Sequence, residues 1–193
     1  MLSNLAEKTK DSLVSVISDA ADVVAAVRDN TKRLVIDTIK DAGEVTTSSL
    51  GLVADVVSGA VAAVVQSGKS VTDGSAEIVG GSIEAVSEVG GDVETAAKEV
   101  SSGAIKGTAE VGGDVGEVAV SAVRGTIDAA EKIGGDTGKL ATQAVVGTVD
   151  AADQIGSEAG SAVRKALLNT AALPRQIIEA AISGKPEPGK EKE

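Results

Sequence analysis

Between Glu7 and Glu179 the chain carries 41 charged residues, and 36 of them occupy five of the eleven positions of a frame counted from Glu110. Random placement would put about 19 in those positions. The exceptions are Lys8, Asp19, Arg28, Asp41 and Glu94, four of them within the first 43 residues. Eleven residues in three turns is about 3.67 per turn, close to an α-helix and far from the two-residue alternation of a strand. On a helix the five charged positions fall on one arc. The other six form an apolar arc of roughly 160°, wider than the stripe of an ordinary core-facing helix.

The elevens pair into a repeat of 22. Glu110-Val111-Gly112-Gly113-Asp114 returns as Lys132-Ile133-Gly134-Gly135-Asp136, and Glu88-Val89-Gly90-Gly91-Asp92 precedes both. Gly59, Gly81, Gly103, Gly125 and Gly147 keep the same interval. The fold class is therefore all-α. The frame allows one long amphipathic helix or a series of Gly-hinged helices, each built from 22-residue (2 × 11) repeats. Gly-Gly-Asp suits a break, with Gly ending one helix and Asp capping the next. Asp114-Val115-Gly116-Glu117 resembles a capping box, whereas Asp136-Thr137-Gly138-Lys139 does not. Gly112/Gly116, Gly134/Gly138 and Gly156/Gly160 also have the GxxxG spacing that lets helices approach closely.

Four segments follow. Residues 1–43 form an N-terminal amphipathic helix with a loose frame and larger side chains such as Leu34 and Ile36. Residues 44–175 hold the 22-residue repeats. Pro174 interrupts them, and 176–183 make a short C-terminal helix. Residues 184–193, rich in Gly, Pro, Lys and Glu, are expected to be a disordered tail. The apolar face that the frame assembles comprises Val89, Val93, Ile105, Val111, Val115, Val118, Ala122, Ile127, Ile133, Leu140, Val149 and Ile155. Asp114, Glu117, Arg124, Asp128 and Lys132 belong to the opposite side.

Composition narrows the function. The 193 residues include no Cys, His, Phe, Tyr or Trp. There is no imidazole base, no thiolate and no common transition-metal ligand set, so neither enzyme activity nor a metal or cofactor is expected. The carboxylates follow the solvated arc, and Gly-Gly-Asp lacks the Lys-Ser/Thr ending of a phosphate loop. A net charge of −11 argues against nucleic acid and against attraction to strongly anionic lipid. Mean hydropathy of +0.16 is nonetheless too apolar for a solvating disordered chain, so something must cover the apolar arc. Met1 to Lys8 lack the basic and apolar regions of a secretory signal, so secretion by one is not expected. The apolar stretch from Leu50 to Val65, interrupted by Asp55, Ser58 and Gly59, is short for a membrane span.

The pattern resembles the eleven-residue amphipathic repeats of perilipins, synucleins and exchangeable apolipoproteins. The perilipin-type likeness rests on Ala144 to Asp150 (Ala-Val-Val-Gly-Thr-Val-Asp) and Ala122 to Asp128 (Ala-Val-Arg-Gly-Thr-Ile-Asp). Granule-coating phasins are a looser likeness. The acidic balance departs from synuclein-type repeats, and no Pro punctuates each 22 as in apolipoproteins. Late-embryogenesis-abundant proteins share the elevens but are far more polar. The resemblance implies a cytoplasmic, peripheral coat on a neutral lipid, lipid-droplet or storage-granule surface, with no small-molecule substrate. The alternative is a structural helical bundle or filament that self-associates through the same face, as a homo-oligomer.

Overall fold

The computed structural model describes residues 3–19, 22–43, 46–68, 71–171 and 173–183. Among these the regular structure is helical throughout, and the chain breaks where Gly-Gly-Asp invites it. The nine helices are α1 (Asn4–Asp19), α2 (Val23–Ala42), α3 (Thr47–Ser67), α4 (Val71–Glu88), α5 (Val93–Glu110), α6 (Val115–Ile133), α7 (Thr137–Ile155), α8 (Ser157–Asn169) and α9 (Arg175–Ser183). Each 22-residue repeat in the centre is thus one helix and its connection. Residues 1–43, expected as a single helix, contain two, because Asp22 starts α2 as an N-cap bonded to the Ala25 amide. The expected tail, 184–193, lies outside the described residues.

The breaks have a local cause. Gly112 and Gly134 sit at φ 70° and 69°, the left-handed region where a Cβ is penalised. The Asp that follows each pair accepts amide hydrogens of the next turn. Asp114 Oδ1 receives Gly116 N and Glu117 N at 2.9 and 3.0 Å, and Asp136 Oδ1 receives Lys139 N at 3.0 Å. Glu117 does not close the box expected at Asp114; its carboxylate accepts instead from the Thr72 hydroxyl of α4. A reciprocal box forms at Thr46 and Ser49, ahead of α3.

The helices pile into two layers. α1, α3, α5, α7 and α9 lie side by side in one, and α2, α4, α6 and α8 in the other. Gly103 faces Ala54 and Gly107 faces Ser58, a constant offset that makes α3 and α5 parallel. Consecutive helices run antiparallel and join the layers. Substantial contacts reach only the next helix and the one after, so the stack is an open array and not a closed bundle. The core between the layers is Ala, Val and a few Ile and Leu, among them Val57, Ile83, Ala97, Ile105, Val118 and Leu140. α3 is the one described helix long and apolar enough, by length and composition, to cross a membrane; 72% of that window is buried in the array.

Candidate functional site: the apolar face and the ion cluster beside it

The apolar face faces inward, onto neighbouring helices. Ile105, Val118, Ala122, Leu140 and Val149 are buried. Val89, Val93, Val111, Val115, Ile127 and Ile133 are half-buried near the helix ends and the layer edge. Ile155, at the last turn of α7, is 45% exposed. On the opposite side Asp114, Glu117, Asp128 and Lys132 are exposed and Arg124 is half-buried. Exposure follows the frame except at Ile155, which is exposed, and Arg124, which is half-buried like several of the apolar set; the rest of the apolar set is met by helices of the same chain.

What lets them meet is the 22-spaced glycine. A Cβ placed on Gly125 would lie 2.8 Å from the carbonyl carbon of Ala76, with the oxygen nearer still. Gly103 against Ala54 and Gly147 against Lys98 repeat this geometry at 3.0 Å, and Gly59 against Ala6 at 2.8 Å. Backbone touches backbone at the α1/α3, α3/α5, α4/α6 and α5/α7 steps. Thr126 and Thr148, which follow two of these glycines, fit the crowded interface by returning their hydroxyl protons to Ala122 O (2.9 Å) and Val145 O (2.8 Å) of their own helices. The GxxxG pairs work differently. Gly112, Gly134 and Gly156 cap helices, and only their partners Gly116 and Gly160 lie against neighbouring atoms. The sequence marks the 22-spaced glycines plainly, but as a repeat and not as a contact, since each partner lies about two repeats away.

The α2/α4 step departs from this rule. Above Gly81 lies the side-chain stem of Arg28, with Cγ 3.2 Å from the would-be Cβ, while the Arg28 carbonyl oxygen stays 3.6 Å away. The Arg28 guanidinium donates to Glu77 at 2.8 Å and to both oxygens of Glu84 at 2.8 and 2.7 Å. Lys32 pairs with Glu88 at 2.5 Å, and Lys132 reaches Glu84 from α6 at 3.4 Å. Glu84, with 11% of its side chain exposed, is the most buried acid of the cluster. Burial opposes the charge on Arg28, but its bonds and attraction to Glu84 and then Glu77 outweigh that, raising the guanidinium pKa above its ordinary value. Arg28 is one of the five residues outside the eleven-residue frame, which was the signal available in the sequence. Elsewhere Arg164 binds both Asp153 oxygens between α8 and α7, which holds the Asp153 carboxyl below the usual carboxylate range.

No group of three His, Cys, Asp or Glu among the described residues is arranged to hold a metal ion. Ser75, Ser101 and Thr31 have buried hydroxyls without a hydrogen-bond partner. They lie on three different helices.

An open two-layer stack of helices, built in its centre from a 22-residue repeat, defines a helical-repeat protein. No protein-family model matches the chain, and no curated protein does. Among solved structures the chain is similar to the crystal structure of a de novo designed helical repeat protein. The two are 18% identical, with a TM-score of 0.48 over 92% of this chain and 91% of the other.

Proposed function

We propose that this chain is a non-catalytic structural protein, a helical-repeat spacer whose apolar arc is covered by its own neighbouring helices. One observation carries the reading: at Gly59, Gly103, Gly125 and Gly147 the helices of a layer meet backbone to backbone. Contact that close excludes any other surface from the same face while the stack is intact. A second copy would find that face occupied too, so self-association through it is not expected while the stack is intact. The outward side carries the solvated charge of an acidic, soluble surface.

The coat reading describes another state of the same chain, with the layers opened onto a neutral lipid or granule surface. The feature that favours it is the shallow, aromatic-free core, whose small side chains each bury little area and so hold the stack weakly per residue. In that state apolar contact drives binding, salt has little effect, and Val111, Val115 and Val118 all replaced by Ser weakens it more than Glu117 and Asp128 replaced by Ser.

Circular dichroism with and without neutral liposomes or an oil emulsion separates the two. The spacer is fully helical in buffer, melts cooperatively and is unchanged by lipid. Helix that forms only on the lipid surface would overturn the spacer and establish the coat.

A further inference from the structure

The glycine steps are interchangeable. Gly103 on Ala54, Gly125 on Ala76 and Gly147 on Lys98 present the same small surfaces, so geometry alone lets any helix seat on any other. Arrays of similar repeats are prone to trapping of this kind, with a repeat skipped and its neighbours wrongly joined. Skipping two helices keeps the layers and the chain direction, so this is the error that the fold tolerates best.

Ion pairs also cross other steps, Arg124–Asp73 between α6 and α4 and Lys98–Asp150 and Lys139–Glu94 between α5 and α7, but as isolated pairs, whereas the α2/α4 step carries a connected cluster. α2 offers Arg28 and Lys32, and α4 offers Glu77, Glu84 and Glu88 at matching heights. Forty-four residues further on, the corresponding positions of α6 are Ser121, Asp128 and Lys132. If α2 seated on α6, Arg28 would lose its Glu77 partner and Lys32 would face Lys132. Like charges there repel, and they do so over about 10 Å, before the glycine surfaces touch.

We infer that Arg28 and Lys32 are a docking address, directing the N-terminal hairpin α1–α2 onto α3–α4 during folding and away from α5–α6. The off-frame position of Arg28 follows from this role. Its side chain leaves the solvated arc, lies across Gly81 and reaches Glu84, which is also held from the far side by Lys132.

The chain has no Cys, so spin labels can be placed uniquely through Lys40→Cys on α2 and Glu131→Cys on α6, both exposed. In the native array α4 lies between these helices, a separation of two helix spacings. In the skipped arrangement they become neighbours, roughly 8–10 Å between axes. Labelled full-length protein is diluted from urea, frozen during refolding, and its label–label distances are measured by electron spin resonance. The doubly labelled parent shows the longer distance. Arg28→Gln with Lys32→Gln raises a shorter-distance population by roughly threefold or more, and the charge-retaining exchange Arg28→Lys with Lys32→Arg does not. A neutral variant that refolds with the longer distance alone overturns the inference. If that variant fails to fold, Glu88→Lys with Lys132→Glu decides. These exposed changes move the acid opposite Lys32 from α4 to α6, so the shorter-distance population must rise, and its absence overturns the inference.

Discussion

Replacing Gly125 by Ala sets two terms against each other. Inside a helix the exchange should stabilise by about 1 kcal/mol, because Ala loses less backbone freedom. The added Cβ, however, would stand 2.8 Å from the Ala76 carbonyl carbon and nearer still to its oxygen, well inside the 3.4 Å at which ordinary contact begins. That neighbour is backbone, so no rotamer change relieves it, and α4 and α6 must move apart along their length. Overpacking of this kind costs about 1–3 kcal/mol, and rigid backbone places it at the upper end. The expected net loss is about 2 kcal/mol, or a fall of roughly 4–8 °C in Tm for a chain of this size. Gly51 is the internal control, helical and with nothing within 4 Å of its would-be Cβ. Gly51→Ala should raise Tm by about 2 °C. Gly81→Ala should fall between the two, since its nearest neighbour is the flexible Arg28 stem at 3.2 Å. Thermal melts followed by circular dichroism or calorimetry read all three. If Gly103→Ala, Gly125→Ala and Gly147→Ala all raise Tm as Gly51→Ala does, the backbone-contact account of the layers is wrong.

Three further outcomes are expected. Asp136→Ala removes the N-cap of α7 and should cost about 1 kcal/mol in urea unfolding, with Asp136→Asn recovering most of it. The Thr95 hydroxyl and amide hold the Asp92 carboxyl below its ordinary pKa, so its stabilisation is complete above the unfolded-state value and disappears as pH falls through the lower folded value. The stability gap between the parent and Asp92→Asn should therefore be flat above pH ~5 and change only in acid, which urea melts across pH would show. Deleting residues 93–136, one helix from each layer, joins Asp92 to Thr137 and leaves an N-cap ahead of a complete helix. That variant should remain helical and melt cooperatively at a lower temperature; a chain that unfolds would show the array to be less modular than its contacts imply.

Much of this fold is legible in the sequence because a helix writes its own period. The eleven-residue frame gives the helical state, and it separates Val118 and Ala122 from Glu117 and Asp128. Gly112, Gly134 and the aspartates after them mark the breaks. What the period cannot give is the neighbour. An apolar arc states that it must be covered, and lipid, a second chain or the next helix but one would each satisfy it equally. That is why the face containing Ile105, Leu140 and Val149 reads as a surface for binding and is found in the core. The N-terminal 43 residues read poorly for a related reason. There α2 meets α4 through a side-chain ion cluster in place of a glycine–backbone contact, and Arg28 leaves the frame to make it.

A core of Ala, Val and backbone also shapes how stability varies with temperature. Unfolding usually raises the heat capacity by about 12–15 cal/mol/K per residue, chiefly through hydration of large apolar side chains, while exposed peptide groups lower it. Here the layers release small side chains and many peptide groups together, because carbonyls such as Ala54 O and Ala76 O are covered by glycine. The heat-capacity increment per residue should therefore lie below the usual range. The stability curve would then be broad and flat, with little loss on cooling and cold unfolding displaced to lower temperatures.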